Sequence, residues 1–313
     1  MYEIYLKRTV DKEMKKVDKI VPKCWINMID PNEKEILKIS KRFHIDPDAI
    51  RDALDEDELP RIESEHNYIL IIIGIPHKER SSKGLYFKTY PLAIIFVDDV
   101  MITICKKENE VINDFINERV KADVYTSKRV RFLLQILNRT SNYFTIYLRY
   151  IEHEIRDIEM ELSHDASNRL ILRLLELQKS LLYFSKTTTM NHKVMQKIIS
   201  GKVLPLYQED MDLLDDVIVD NKQAMQMISL YHKIVSNLMD GYAFIISNNL
   251  NSIMKLLTSI TIILAIPTMI ASYYGMNVAL PLAGRSDAFV LILIASVIIT
   301  ILTTIWLYRR GYL

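Results

Sequence analysis

The sequence is poor in glycine and cysteine, and its charges nearly cancel. Its 313 residues include only 7 glycines and 2 cysteines. So few glycines indicate few tight turns and favour long helices. Cys24 and Cys105 lie in apolar, strand-like stretches with no further cysteine or histidine at metal-ligand spacing. This predicts buried thiols rather than a disulfide or a zinc site.

Several classes of function lack support in the sequence. Lys and Arg number 40 against 39 for Asp and Glu, so the net charge of +1 gives no indication of a nucleic-acid partner. No glycine-rich strand-to-helix turn and no nucleophile elbow is present, so an enzyme is not indicated. The start, Met1-Tyr2-Glu3-Ile4, has neither a basic segment nor an apolar core, which predicts no signal peptide.

The chain does contain two long apolar segments, 256–274 and 288–308, neither with a charged side chain. Each is about as long as a helix that spans a bilayer. Lys255 precedes the first segment, and Arg309 and Arg310 follow the second. Because basic residues favour the cytoplasmic side, both termini are expected on the cytoplasmic side of the cell membrane and the loop 275–287 on the outer side.

A polar stripe follows the first apolar segment and the residues before it. Alternating steps of four and three residues keep to one helix face and give Asp240, Phe244, Ser247, Asn251, Met254, Thr258, Thr261, Ala265, Thr268 and Ser272. Polar groups are costly in hydrocarbon unless they face protein or water. The stripe is therefore either a helix-packing seam or the lining of an aqueous ion path. Its continuation to Asn251 and Asp240 favours the ion path.

The motif Tyr274-Gly275-Met276-Asn277 ends the first apolar segment. Its place between two C-terminal spans resembles the CorA family of magnesium transporters, whose signature at this point is Gly-Met-Asn. The segment 251–257 looks like the pore entrance of that family, and the resemblance extends over the rest of the chain. Met276 is typical of the magnesium branch, because a related zinc-transporting branch has other residues there.

The resemblance implies a homopentameric funnel: an α/β cytoplasmic domain, long helices and a two-helix transmembrane hairpin whose first helix lines the pore. Gly275, Met276 and Asn277 would select hydrated Mg²⁺ at the outer mouth, with Co²⁺ and Ni²⁺ as further candidate ions. The pore lining would be Asp240, Asn251, Met254, Leu257, Thr258, Thr261, Ala265, Thr268 and Ser272. Met254 and Leu257 would narrow the path and gate it by excluding water.

Two acidic clusters lie in the part expected to be cytoplasmic. One is Asp52, Asp55, Glu56, Asp57 and Glu58; the other is Glu209, Asp210, Asp212, Asp215, Asp216 and Asp220. Taken alone, such clusters are typical of solvated helix ends. The resemblance implies that Asp52 and Asp216 of neighbouring subunits share a regulatory Mg²⁺, which prefers oxygen ligands. Arg51 stands where the family has an acid, so a second ion there is not expected.

Apolar periodicity divides the chain into successive parts. Residues 1–126 predict an α/β domain with strands over 3–7, 20–28, 68–75, 90–97 and 100–106 and helices over 32–43, 48–54 and 108–119. Residues 127–207 predict an antiparallel helical pair with a turn at 164–167. One stalk helix, ~100 Å long at 1.5 Å per residue, is expected over 208–274. An outer loop (275–287), a second transmembrane helix (288–308) and a basic tail (309–313) follow.

Two rival functions remain open from the sequence. One is a zinc transporter of the same superfamily. The other is a membrane-anchored sensor in which the hairpin serves only as an anchor.

Overall fold

The structure is a computed structural model that describes residues 2–81, 84–162, 168–201, 203–278, 281 and 287–313. It divides into two compact units, Met1–Met239 and Asp240–Leu313. The first unit contains a β-sheet with helices packed on it, and the second contains two apolar helical segments. The division falls inside one continuous helix, Gln208–Tyr274.

The sheet of the first unit has seven strands among the described residues. They are β1 (Tyr2–Leu6), β2 (Lys15–Lys16), β3 (Trp25–Ile29), β4 (Arg61–Ser64), β5 (Tyr68–Ser81), β6 (Gly84–Val97) and β7 (Val100–Cys105). Their order is β2-β1-β3-β7-β6-β5-β4. Only β3 and β7 pair in parallel, and the other pairs are antiparallel.

The helices are α1 (Glu33–Phe43), α2 (Pro47–Asp52), α3 (Glu110–Ile116), α4 (Arg129–Leu162), α5 (Asn168–Ile199), α6 (Gln208–Tyr274) and α7 (Ala288–Arg309). Every helix expected from the sequence is found, with ends that shift by a few residues. The start signal of α1 is a capping box: Asn32 Oδ1 accepts from the Glu35 N–H, and the Glu35 carboxylate accepts from the Asn32 N–H, both at 3.0 Å. The turn expected at 164–167 lies outside the described residues.

The sheet separates two hydrophobic cores, which explains its nearly continuous apolar strands. In β6, Leu92, Ile94 and Phe96 belong to the core shared with α3, α4, α5 and the start of α6. The alternate residues of β6 belong to the core shared with α1 and α2. Cys24 and Cys105 lie in different cores and are free and buried, so the prediction of buried thiols is confirmed.

A polar tether fixes α5 to the middle of the sheet. β4 pairs with β5 as far as Ile72, so Gly74 lies beyond the end of that ladder. Asn191 of α5 bonds both backbone groups of Gly74: its Nδ2 donates to the Gly74 carbonyl and its Oδ1 accepts from the Gly74 N–H, each at 2.8 Å. A Cβ on Gly74 would lie 2.2 Å from Thr187 Cγ2, so this close approach of α5 requires glycine.

The strand predictions were wrong where strands are short, polar or contain proline. The strand expected over 20–28 begins only at Trp25, and neither β2 nor β4 was predicted. Both of these are edge strands with charged side chains, such as Arg61, so they lack an apolar pattern. The strand expected to end at residue 75 continues through Pro76 to Ser81.

Candidate functional site

The apolar part of α6 and the whole of α7 have the length and composition of membrane-spanning helices. In the most apolar window of each helix, only 6% and 11% of the residues, respectively, are buried within the chain. A core helix of a water-soluble protein would be mostly buried. The exposed apolar surface therefore favours a bilayer as the surroundings of both segments.

Within the second unit, the less exposed residues recur at helical spacing. Over residues 251–274 of α6 they are Lys255, Ser259, Ile263, Ile266, Pro267 and Ile270, and on α7 they are Ala288, Ile292, Ser296, Thr300, Thr303, Thr304 and Leu307. We call the first of these rows the packed face of α6. Ser259 on this face is completely buried and contacts the chain that follows α7.

The polar stripe lies on a different side of α6. Asn251, Met254 and Leu257 are exposed, and so are Asp240, Thr258, Thr261, Ala265, Thr268 and Ser272. At 100° per residue, the centre of the stripe lies roughly 140° around the helix from the centre of the packed face. Among the residues that the structure describes, the stripe therefore lies away from the face by which α6 packs within one chain.

Three threonines of the stripe present acceptor atoms to their surroundings. The hydroxyls of Thr258, Thr261 and Thr268 donate to the carbonyls four residues earlier, at 2.8, 2.9 and 2.8 Å. Each hydroxyl proton is thus used inside the helix, and the oxygen lone pairs remain for other partners. A hydrated cation directs the hydrogens of its water shell outwards, so it requires acceptors of this kind.

The Gly-Met-Asn motif caps the end of α6. The Gly275 N–H donates to the carbonyls of Ala271 (3.0 Å) and Ser272 (3.2 Å), and the motif itself is exposed. The C-terminal end of a helix carries partial negative charge, which attracts cations. A Cβ on Gly275 would make ordinary contacts, the closest at 3.4 Å, so a single chain does not require glycine here. Of the expected outer loop, residues 279–280 and 282–286 lie outside the described part.

Asp52 lies at the end of α2 and already has a cationic partner. Arg61 Nη2 donates to Asp52 Oδ2 at 2.7 Å, and the same guanidinium contacts Glu58 and Glu63. Glu56 pairs with lysines: their ammonium groups hold the pKa of its carboxyl down at about 2. Much of the first acidic cluster is therefore ion-paired rather than solvated. Sequence reasoning missed Arg61, although it follows the cluster directly.

Asp216 is exposed on α6, and no ion pair involves it among the described residues. Elsewhere in the second acidic cluster, Arg131 contacts Glu209 at 3.0 Å and Asp210 at 3.7 Å. The described residues of one chain bring no three His, Cys, Asp or Glu side chains into a metal-binding group. Arg51, the departure noted in the sequence, pairs with Glu33 and Asp48.

Comparisons with known proteins agree over nearly the whole chain. The family model described as "CorA-like Mg2+ transporter protein" matches residues 23–309. The cobalt/magnesium transport protein CorA of Methanocaldococcus jannaschii is 30% identical over 294 residues, covering 92% of this chain and 90% of that protein. The complete structure of the CorA magnesium transporter from the same organism superposes with a TM-score of 0.84 at 26% identity, covering 99% and 98% of the two chains.

A more distant structural neighbour is the ZntB cytoplasmic domain from Vibrio parahaemolyticus. It has a TM-score of 0.61 at 12% identity, covering 79% of this chain and 98% of that one. At this identity the likeness concerns the fold alone.

Proposed function

The chain belongs to the CorA family of Mg²⁺ transporters, and on that premise we propose that it carries Mg²⁺ into the cell along the polar stripe of α6. The observation that carries this proposal is the direction of the stripe. It is exposed and lies roughly 140° from the face that packs within the chain. The oxygen ligands of the stripe are neutral and give no strong preference between hard and softer metal ions, so Co²⁺ and Ni²⁺ are candidate ions as well.

Transport requires several copies of the chain, because two spanning helices cannot enclose a path. We propose a homopentamer in the cell membrane, as the resemblance implies, with the stripes of five α6 helices facing a common axis and α7 facing lipid. Lys255, Arg309 and Arg310 support a cytoplasmic position for the inner ends of both helices, because basic residues favour that side. Both termini are then cytoplasmic, and Gly275–Asn277 forms the outer mouth.

Selection at this mouth would act on the hydrated ion. Mg²⁺ gives up its water reluctantly, so a ring of five Asn277 amide oxygens can bind it through its water shell. Gly275 and Met276 hold that amide beside the negative ends of the five helices. An amide supplies an acceptor without a full charge, which allows the ion to leave again.

Below the mouth, the ion would pass acceptors and then a constriction. The lone pairs of Thr258, Thr261 and Thr268, with Ser272, can accept hydrogen bonds from the water shell. Met254 and Leu257 are apolar and would close the path by excluding water. Asn251 and Asp240 would receive the ion at the inner end.

Regulation would depend on Asp52 of one subunit and Asp216 of the next. Mg²⁺ bound between them favours a closed ring only through its higher affinity for that state. In this chain the ion would compete with Arg61, which already donates to Asp52. The exposed position of Asp216 and the partial exposure of Asp52 support a site between copies.

The rival functions have weaker support. The zinc alternative rests on a neighbour whose likeness concerns the fold alone, and Met276 argues against it. A sensor that uses the hairpin only as an anchor would not need a row of acceptor oxygens directed away from the packed face. An enzyme is not proposed, because the family is one of transporters.

The test is Mg²⁺ uptake into liposomes that contain the purified protein and an internal fluorescent indicator, at low Mg²⁺ on the cytoplasmic side. Asn277→Ala is expected to slow uptake at least tenfold, the effect of raising a barrier by ~1.4 kcal/mol. Asn249→Ala is the matched control, because Asn249 is exposed on α6 but lies off the stripe. Equal uptake by wild type and Asn277→Ala would contradict the proposed mouth. No uptake by wild type would favour the sensor.

A further inference from the structure

The last residues of the chain turn back from α7. α7 ends at Arg309, and Gly311 has a φ of 72°, in the left-handed region that glycine adopts without strain. The Gly311 N–H donates to the Tyr308 carbonyl and the Tyr312 N–H to the Leu307 carbonyl, both at 3.1 Å. This pattern ends the helix in a tight turn and redirects the chain. We call residues 311–312 the C-terminal turn.

The C-terminal turn contacts the packed face of α6 at two successive positions. Ser259 Oγ shares its single proton between two carbonyls, that of Lys255 in its own helix at 2.8 Å and that of Tyr312 at 3.2 Å. Ser259 is completely buried. One helical turn earlier, Lys255 Nζ lies 5.7 Å from the centre of the Tyr312 ring, a cation–π distance.

This contact differs from those of the other hydroxyls in the spanning segments. Among the described residues, the other hydroxyls of these segments with a visible hydrogen bond donate to the backbone of their own helix. They are Thr258, Thr261, Thr268, Thr300, Thr303 and Thr304. The bond from Ser259 to Tyr312 joins α6 to the chain beyond α7. A directional bond on one side of a helix restrains its rotation about its own axis, which apolar packing alone restrains less sharply.

From these contacts we propose that the C-terminal turn is a latch that sets the rotation of α6 and thereby directs Asn251, Met254 and Thr258 towards the ion path. Ser259 and Tyr312 are positioning residues that touch no ion. Ser259 directly follows Thr258, so a restraint on one fixes the direction of the other. The inference rests on the proposed function, because it takes the stripe of α6 as the path.

The test measures how fast a charged, water-soluble thiol reagent modifies a cysteine placed on the stripe, in the assembled protein. The reporter is Thr258→Cys, and Cys24 and Cys105 give little background because they are 0% and 2% exposed. Two changes release the latch: Ser259→Ala, and a chain that ends after Gly311. Each is expected to slow modification of the reporter about fivefold, the effect of losing one hydrogen bond on an equilibrium.

Two controls make the result specific. Thr303→Ala removes a hydroxyl that donates to the Ile299 carbonyl within α7 at 2.9 Å, and it is expected to leave the rate unchanged. A second reporter, Asn249→Cys, lies off the stripe and should not slow. Unchanged rates at the Thr258→Cys reporter in both latch variants would overturn the latch, as would equal acceleration at both reporters, which indicates general loosening.

Uptake measurements separate failure of the latch from failure of the proposed function. Suppose that wild type takes up Mg²⁺ and that the reporter cysteine is modified at the same rate with and without the latch changes. Then only the latch is wrong. If wild type takes up no Mg²⁺, the proposed function is wrong, and a latch that sets the direction of α6 for transport is overturned with it.

Discussion

At the residue scale, the carboxylate of Asp52 already accepts a hydrogen bond from the guanidinium of Arg61, so a cation must compete for it. We expect Arg61→Gln to lower the cytoplasmic Mg²⁺ concentration that half-inhibits uptake, since it removes the competing cation. Asp52→Asn and Asp216→Asn should raise that concentration, each about tenfold if a bond to a charged ligand worth ~1.4 kcal/mol is lost. Flux into liposomes at graded Mg²⁺ concentrations measures the effect of all three changes.

Arg51→Gln is the control, since Arg51 pairs with Glu33 and Asp48 instead. Inhibition unaltered by both Asp variants would contradict the site.

The sequence did not predict which side chains pair across different elements of the fold. Local patterns predicted the helix over 32–43 and the two buried thiols, because each depends on near neighbours. The tether joins Asn191 to Gly74, 117 residues away in the sequence, so no local pattern predicts it. Arg61 was missed for a related reason: a charge cluster shows its carboxylates but not which cation they hold.

At the element scale, α6 was predicted almost to the residue, because a helical period of 3.6 and the absence of charges over 256–274 are both local properties. The same period predicted which residues share a face. It could not predict which face packs within the chain, since this depends on contacts with the chain after α7. The structure supplied that direction.

The acceptor row of α6 gives the prediction for this scale. Thr258→Val, Thr261→Val and Thr268→Val remove an acceptor with little change in volume, and the lost bonds lie within the helix, so folding should persist. Each change is expected to slow Mg²⁺ uptake severalfold, because one bond of about 1 kcal/mol to the water shell is lost. Thr303→Val on α7 removes the same kind of hydroxyl and should leave uptake unchanged. Uptake equally sensitive to all four changes would indicate a general packing effect.

At the scale of the whole molecule, the proposed path requires several copies of the chain, with their exposed stripes facing one axis. We expect native mass spectrometry of the purified protein to give the mass of five chains. Leu257→Cys should form disulfide-linked dimers on mild oxidation, because five stripes at one axis bring this position together, whereas Ile263→Cys on the packed face should not. A single-chain mass, or equal cross-linking at both positions, would contradict the proposed assembly.

The hydroxyl protons of Thr258, Thr261 and Thr268 are bonded to the backbone of α6, and this affects which ions can accompany Mg²⁺. An anion such as chloride needs donors, and at these three positions the donors are spent on the helix backbone. In the proposed path these three positions then offer a counter-ion no donors, and a Mg²⁺ that moves alone carries two net charges inwards. A membrane potential of 100 mV, negative inside, would drive each ion with ~4.6 kcal/mol, twice the value for one charge. Entry would thus be powered by voltage without any coupled reaction.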